Sequence, residues 1–255
     1  MKLHLLPQPA GDMTLPKLFL LIVLVNSSFT AYSGGWQVVT ESSQFIESNV
    51  NAIIFECSGN LMLKPSDENG IFYSTPPAEG DTIEFNVSGN TVKIRIRSDE
   101  EKKNNIYKNN NNLTVLVEMK MLENIVFSGS GKLEIKNFIG KTLHFVWNGS
   151  GDCLGTMDYE NITILHNGSG KMELAGKTND LMLTHSGTGD IFAKKLRALN
   201  GIVTLSGTGD IFVSVTGQLM ANLNGTGNIY YYKNPKLKKS IEGWGTIAKR
   251  MEAIF

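Results

Sequence analysis

The sequence predicts an all-β protein whose body is a parallel β-helix, a solenoid of stacked coils of 18–20 residues. Three observations carry this expectation. The heptapeptide SGTGDIF occurs at Ser186–Phe192 and again at Ser206–Phe212, 20 positions later. A related G-x-G frame recurs with leading glycines Gly129, Gly149, Gly168, Gly187, Gly207, Gly225 and Gly243, at steps of 20, 19, 19, 20, 18 and 18. On both sides of each frame, apolar and polar residues alternate with the period of a strand.

Positions are counted from the leading glycine. At minus 4 stand Ile125, Phe145, Ile164, Leu183, Val203 and Ala221. At minus 2 stand Phe127, Trp147, His166, His185, Leu205, Leu223 and Ile241, and at plus 4 Leu133, Cys153, Met172, Ile191, Ile211, Ile229 and Ile247. These columns face inward, so each repeat reads as two short strands meeting at a G-x-G corner. Glycine at the corner either avoids crowding or supplies a positive φ. A leucine-rich repeat would need a leucine pattern that is absent, and a propeller blade about forty residues. Calcium-binding rolls use a shorter unit, so a parallel β-helix remains. One coil cannot bury its own face; stacking at ~4.8 Å stabilises the array.

Upstream the rhythm loosens. Gly89 in VSGNTVKI lies 40 residues before Gly129, which is two steps, and Gly59 in CSGNLML reads as a more divergent copy. Residues 34–120 are thus expected to form irregular N-terminal coils and residues 121–250 the regular ones. Nothing in the rhythm explains Lys64–Asn112, which ends in the asparagine-rich stretch Asn104–Asn112.

Residues 1–33 read as a signal peptide: Lys17, the apolar run Leu18–Val25, then Ala31-Tyr32-Ser33 before Gly34. Met13 offers a second possible start. The run is well short of the ~20 apolar residues that span a bilayer. The expectation is an exported chain, at the cell surface, extracellular or periplasmic, that does not span the membrane once cleaved. With 24 basic and 24 acidic residues, the chain has no electrostatic case for nucleic acid. Cys57 falls at minus 2 of its presumed copy and Cys153 at plus 4 of another, more than four coils away. That is ~20 Å, against the ~7 Å within which bridged Cα atoms lie, so two free buried thiols are expected. No phosphate loop, nucleophile elbow or zinc-ligand motif occurs, and neither a cofactor nor a metal is expected.

The motif G-S/T-G-D/N-I, recurring about every twenty residues, resembles the auto-transporter adhesin head (GIN-type) domain family of bacterial envelope proteins. The ending is similar too: Gly225-Thr-Gly-Asn-Ile-Tyr-Tyr-Tyr-Lys-Asn-Pro-Lys, then Gly243-Trp-Gly-Thr-Ile. The resemblance is strong over Asn124–Lys249 and looser over Ser42–Lys120. It implies a right-handed parallel β-helix and an adhesin-like role, and it brings no catalytic motif.

Four columns could carry chemistry. Asp190 and Asp210 share plus 3, with Asp152 in the same column. Stacked carboxylates can bind calcium or act as an acid–base pair. Lys132, Lys171, Asn228 and Thr246 share the column, however, which favours solvated capping positions. His166 and His185 are neighbours in an inward, partly aromatic column, and stacked core imidazoles are favoured over a metal site. The hydroxyls at plus 1, from Ser130 to Thr226, read as turn caps rather than an ice-binding array. Phe192, Phe212 and Tyr230 occupy plus 5 on consecutive coils and alternate outward, an apolar stripe unless Lys194–Asn200 forms a loop over it. The expected function is that of an adhesin-like binding protein rather than an enzyme, contacting a surface polysaccharide or protein through Phe192, Phe212, Tyr230, Asp190 and Asp210. The rivals are a carbohydrate-active enzyme using the Asp190 and Asp210 ladder, and a passive envelope component that associates end to end.

Overall fold

The computed structural model describes residues 32–33, 36–38, 49–73, 81–98 and 113–251. The apolar run Leu18–Val25 and the stretch Asn104–Asn112 lie outside these residues. Nine short strands come first: β1 (Tyr32–Ser33), β2 (Trp36–Val38), β3 (Ala52–Glu56), β4 (Asn60–Pro65), β5 (Gly70–Tyr73), β6 (Asp81–Ser88), β7 (Thr91–Ser98), β8 (Thr114–Met119) and β9 (Asn124–Phe127). Five long ones follow: β10 (Leu133–Trp147), β11 (Cys153–His166), β12 (Met172–His185), β13 (Ile191–Leu205) and β14 (Ile211–Leu223). The chain closes with β15 (Ile229–Tyr232), β16 (Lys236–Ile241) and β17 (Ile247–Lys249). All seventeen belong to one continuous sheet, and no helix occurs among the described residues.

From β9 onward the strands pair in parallel, coil on coil. The plus-4 column is in Cα register throughout: Leu133, Cys153, Met172, Ile191, Ile211, Ile229 and Ile247. Its members and those of the minus-4 column are buried, giving the continuous apolar ladder that the periodicity predicts. The two arms of a repeat are not separate strands, however. They join into runs of 13–15 residues that bend without breaking. In β13 the bends show as two adjacent pairs with no buried member, the exposed Lys194–Lys195 and the pair of exposed Leu199 and half-buried Asn200, where the inward phase shifts. Register slips between Ala193 and Arg197, and between Ala198 and Asn200, mark the same places. With the G-x-G corner they give the coil three sides.

The corner glycines answer to crowding more than to φ. A Cβ on Gly207 would lie 2.0 Å from the Gly187 carbonyl oxygen one coil back. That oxygen already accepts the Thr208 N–H at 3.1 Å. Within the regular frames only Gly131 and Gly170 have positive φ.

At the N-terminal end the stacking order departs from chain order, which corrects two expectations. β3 lies between β7 and β9, and β4 between β8 and β10. The coil carrying Cys57 therefore stacks directly on the coil of Gly129, and the excursion through β5–β8 lies beyond it. Gly89 is not a corner glycine: it sits at φ 60° in the turn of the antiparallel β6–β7 hairpin. Cys57 is not at minus 2. Phe55 holds that place, stacked on Phe127 at 5.2 Å, and Cys57 stands where other coils have the leading glycine. The chain returns across the first coil through residues 120–123, where Asn51 O accepts the Glu123 N–H at 2.7 Å and the buried Tyr159 hydroxyl donates to Leu122 O at 2.5 Å. Cys57 and Cys153 are thus two coils apart, ~10 Å along the axis, still beyond disulfide reach. Both thiols are buried and unbonded. Burial pushes Cys57 up to about 12 and raises Cys153 further.

Candidate functional site

Strand alternation aims the plus-5 side chains away from the core. Register assembles them into the column Glu134, Leu154, Glu173, Phe192, Phe212, Tyr230 and Ala248. The Phe192 and Phe212 rings stack with centroids 4.9 Å apart and planes 6° apart; Phe212 and Tyr230 stack at 5.0 Å and 27°. These distances match the coil spacing, so the solenoid itself sets the rings face to face. A cation closes each end: Lys171 Nζ lies 5.0 Å from the Phe192 centroid and Arg250 Cζ 4.0 Å from that of Tyr230. Ring faces are therefore covered by a neighbouring ring or a cation, and solvent meets ring edges. All three residues are half-buried. An aromatic edge is the positive rim of the ring quadrupole, so this stripe suits oxygen-rich partners held edge-on rather than a sugar stacked on a face.

Among the described residues no loop covers the stripe. Lys194–Asn200, the segment that could have done so, continues β13. Beside Phe192 opens a shallow groove of about 570 Å³ over Leu154, Glu134, Lys136, Glu173, Lys194 and Lys195. Its charges are partly paired: Lys136 meets Glu134 at 3.3 Å, and Lys171 meets Glu173. The Lys171 hydrogen bond holds the Glu173 carboxyl below its ordinary range, with Lys195 contributing.

The plus-3 column is a hydrogen-bond ladder. Asp210 N–H donates to Asp190 Oδ1 at 2.8 Å, and Asn228 N–H to Asp210 Oδ1 at 2.8 Å. Asn228 Oδ1 then accepts the Thr246 N–H at 3.0 Å, and Asp152 Oδ1 that of Lys171 at 3.0 Å. Each side chain caps the next coil, and the second carboxylate oxygens of Asp190 and Asp210 have no hydrogen-bond partner among the described residues.

His166 and His185 lie in the interior, fully buried, with ring centroids 4.7 Å apart at 73°. Trp147 stacks on His166 at 6.3 Å and 15°. Among the described residues both ring nitrogens of His166 and Nε2 of His185 lack a hydrogen-bond partner. Burial lowers His166 to about 4, with His185 adding to the shift, and burial also lowers His185. No cluster of three or more metal-binding side chains occurs among the described residues. The exposed Thr188, Thr208 and Thr226 leave corner bonding to the backbone; Thr226 N–H donates to Gly207 O at 3.0 Å.

Two surface features escaped the sequence reading. Met182, Ile202 and Met220 stand in register at minus 5 on successive coils, 47%, 42% and 39% exposed. Trp244 breaks the plus-1 column of hydroxyls and is 85% exposed. Both are legible as columns: minus 5 alternates outward like plus 5, and Trp244 stands at plus 1 where the preceding copies have Ser or Thr.

The fold matches solved structures. A crystal structure of a protein from Bacteroides fragilis, named a putative adhesin, superposes with a TM-score of 0.71 at 24% identity over 81% of this chain and 94% of that one. A protein from Parabacteroides distasonis named a putative lipid binding protein gives 0.53 at 23% identity, over 80% and 94%. A putative adhesin from the same organism gives 0.56 at 16% identity, over 79% and 93%. No curated protein sequence matches the chain. Among the described residues no helix is long and apolar enough to cross a membrane. The family model described as "Putative auto-transporter adhesin, head GIN domain" matches residues 49–235, nearly the whole solenoid, and the chain belongs to that family.

Proposed function

We propose that the chain is an exported, adhesin-like binding protein of the bacterial envelope whose lateral face holds a surface polysaccharide or a cell-surface protein without catalysing a reaction. The observation that carries this is the cation-capped stack of Phe192, Phe212 and Tyr230, set edge-on beside Asp190 and Asp210. Ring edges and lysines suit oxygen acceptors, and the spare carboxylate oxygens suit hydroxyl donors, which together describe a glycan. Family membership supports the adhesin-like role. The apolar run Leu18–Val25 with the small residues before Gly34 supports export by removal of residues 1–33. That cleavage would take away β1, which pairs with β2 outside the coils, and leave the solenoid intact. The ladder role of Asp190 and Asp210 favours binding over acid–base catalysis, since one oxygen of each already caps the next coil.

The test is retention on a panel of immobilised neutral and acidic polysaccharides. Wild type should be retained, and the triple change of Phe192, Phe212 and Tyr230 to serine should weaken retention at least about tenfold. Because those rings are half-buried, Asp190→Asn with Asp210→Asn supplies a milder variant: an amide oxygen still caps the next coil but the charge is gone. It should melt with wild type and still bind more weakly. Unchanged retention in both variants would refute the lateral face, and reducing-sugar release from the panel would refute a purely binding role. Cleavage by added protease on intact cells would put the chain at the cell surface; protection until lysis would put it in the periplasm.

A further inference from the structure

The last coil differs from every coil beneath it. Lys233, Lys236, Lys238, Lys239, Lys249 and Arg250 are exposed there, against Glu242 alone among acidic residues from Ile229 to Met251. The chain as a whole is neutral, whereas Ile229–Met251 holds six basic residues against one acidic residue, so this end carries a net positive charge. Apolar side chains are exposed beside the lysines: Trp244 at 85%, Met251 at 87% and Ile241 at 44%.

Two of these residues end the stack. Lys239 is in register with Ala221, in the minus-4 column that is apolar in the other regular coils. A further coil laid on this end would bury its ammonium without a counter-charge, at a cost of several kcal/mol. Trp244 N–H donates to Gly225 O at 2.8 Å, the bond made by the plus-1 hydroxyl residues below, but its indole replaces their small side chain. An inward lysine on an edge strand is a recognised guard against strand addition. Like charge also opposes the meeting of two such ends. The passive reading, in which copies join through this end, is disfavoured on both counts.

We propose that this end of the solenoid docks on an anionic lipid surface, with Trp244, Ile241 and Met251 at the headgroup–acyl boundary and the lysines against the lipid charges. Indole rings settle at membrane interfaces, and each nearby Lys or Arg adds attraction to anionic headgroups. An acidic polysaccharide would use the lysines and the indole but leave Met251 and Ile241 exposed to water, so lipid accounts for more of the surface. Apart from Arg250, which also covers the Tyr230 ring, the proposal uses no residue of the lateral face, whose stripe lies along the side of the coils.

The experiment is co-sedimentation of the full chain with vesicles of phosphatidylcholine alone and with vesicles that also contain phosphatidylglycerol. Binding is expected only to the anionic vesicles, falling as salt rises, with a blue shift of the Trp244 emission. Trp244→Ala should weaken it at least about tenfold, and Lys238→Glu with Lys239→Glu at least about thirtyfold. Both variants change exposed side chains and should melt with wild type; the serine variants of the lateral stripe should bind vesicles normally. Absence of binding to anionic vesicles at low salt would overturn the proposal. So would binding that survives both end variants, or capture by soluble alginate but not by vesicles, which would make the end a polysaccharide site.

Discussion

Gly189→Ala is expected to destabilise the protein by about 4 kcal/mol or more, or to prevent folding. A Cβ at this position would lie 1.6 Å from the carbonyl oxygen of Gly170, one coil back. The contact is with backbone, so no rotamer change relieves it. Moving the corner by the roughly 2 Å needed for ordinary contact would pull at bonds on both sides. Thr188 N–H donates to Gly168 O at 3.2 Å, and Met172 N–H to Asp190 O at 2.9 Å. Gly201→Ala is the control. Its Cβ would lie 3.1 Å from Val215 Cγ2 and 3.4 Å from Leu219 Cδ1, both of them side-chain atoms that can adjust. That change should stay within about 1 kcal/mol of wild type, since it also reduces the freedom of the unfolded chain. Urea unfolding midpoints separate the two. A Gly189→Ala variant that unfolds with wild type would mean that glycine at the corner serves something other than close approach. Because each coil touches only its neighbours, the damage should also open the chain to protease near residue 189 before the coils on either side are cut.

The same collision explains why so much of the body could be read from sequence. Every coil that stacks on the corner of another must carry glycine at both corner positions, so each such coil announces itself as G-x-G, and the spacing gives the register. Columns follow from register, and burial follows from columns. The N-terminal end breaks this chain of inference at its first step. Stacking order is not encoded locally: the partners of β3, at Thr91–Arg95 and Asn124–Phe127, lie far along the chain, and nothing in Ala52–Glu56 says which comes between. Gly89 was misplaced because a glycine-asparagine hairpin turn and a corner look alike in seven residues. Cys57 was misplaced because it stands where glycine was expected. It can stand there because the strand stacked beyond it, β7, runs straight through to Ser98 and has no corner carbonyl to meet.

The aromatic stripe was legible in position and not in posture. Alternation turns Phe192, Phe212 and Tyr230 outward, but whether their rings lie flat to solvent or stack on one another depends on side-chain rotation. The coil spacing decides it, because aromatic rings 4.9–5.0 Å apart meet face to face. The Asp190 and Asp210 column shows a related limit. Its mixed composition pointed to capping, and capping is what the oxygens do, but the direction of each bond, from the N–H of one coil to the carboxylate of the coil before, needed coordinates.

The buried histidine pair carries the second large effect, a loss of stability in mild acid. An imidazole in an unfolded chain titrates near 6.5, while burial holds His166 at about 4 in the fold. Between those values the unfolded chain takes up a proton that the folded chain refuses, so stability falls as pH falls from about 6.5 and levels off below about 4. The loss from His166 is on the order of 3 kcal/mol. His185, also lowered by burial, acts in the same direction. His166→Leu isolates the effect, because leucine already fills this column at Leu205 and Leu223. At neutral pH the variant should be more stable than wild type by about 1 kcal/mol, since two unpartnered ring nitrogens are gone. As pH falls to about 4 the gap should widen by roughly the 3 kcal/mol that wild type loses. Taking the difference between the two proteins cancels the carboxylates, which titrate in both. Urea titrations at several pH values measure both proteins, and a constant gap between wild type and His166→Leu would show that the pair is protonated, or already open to water, in the folded state.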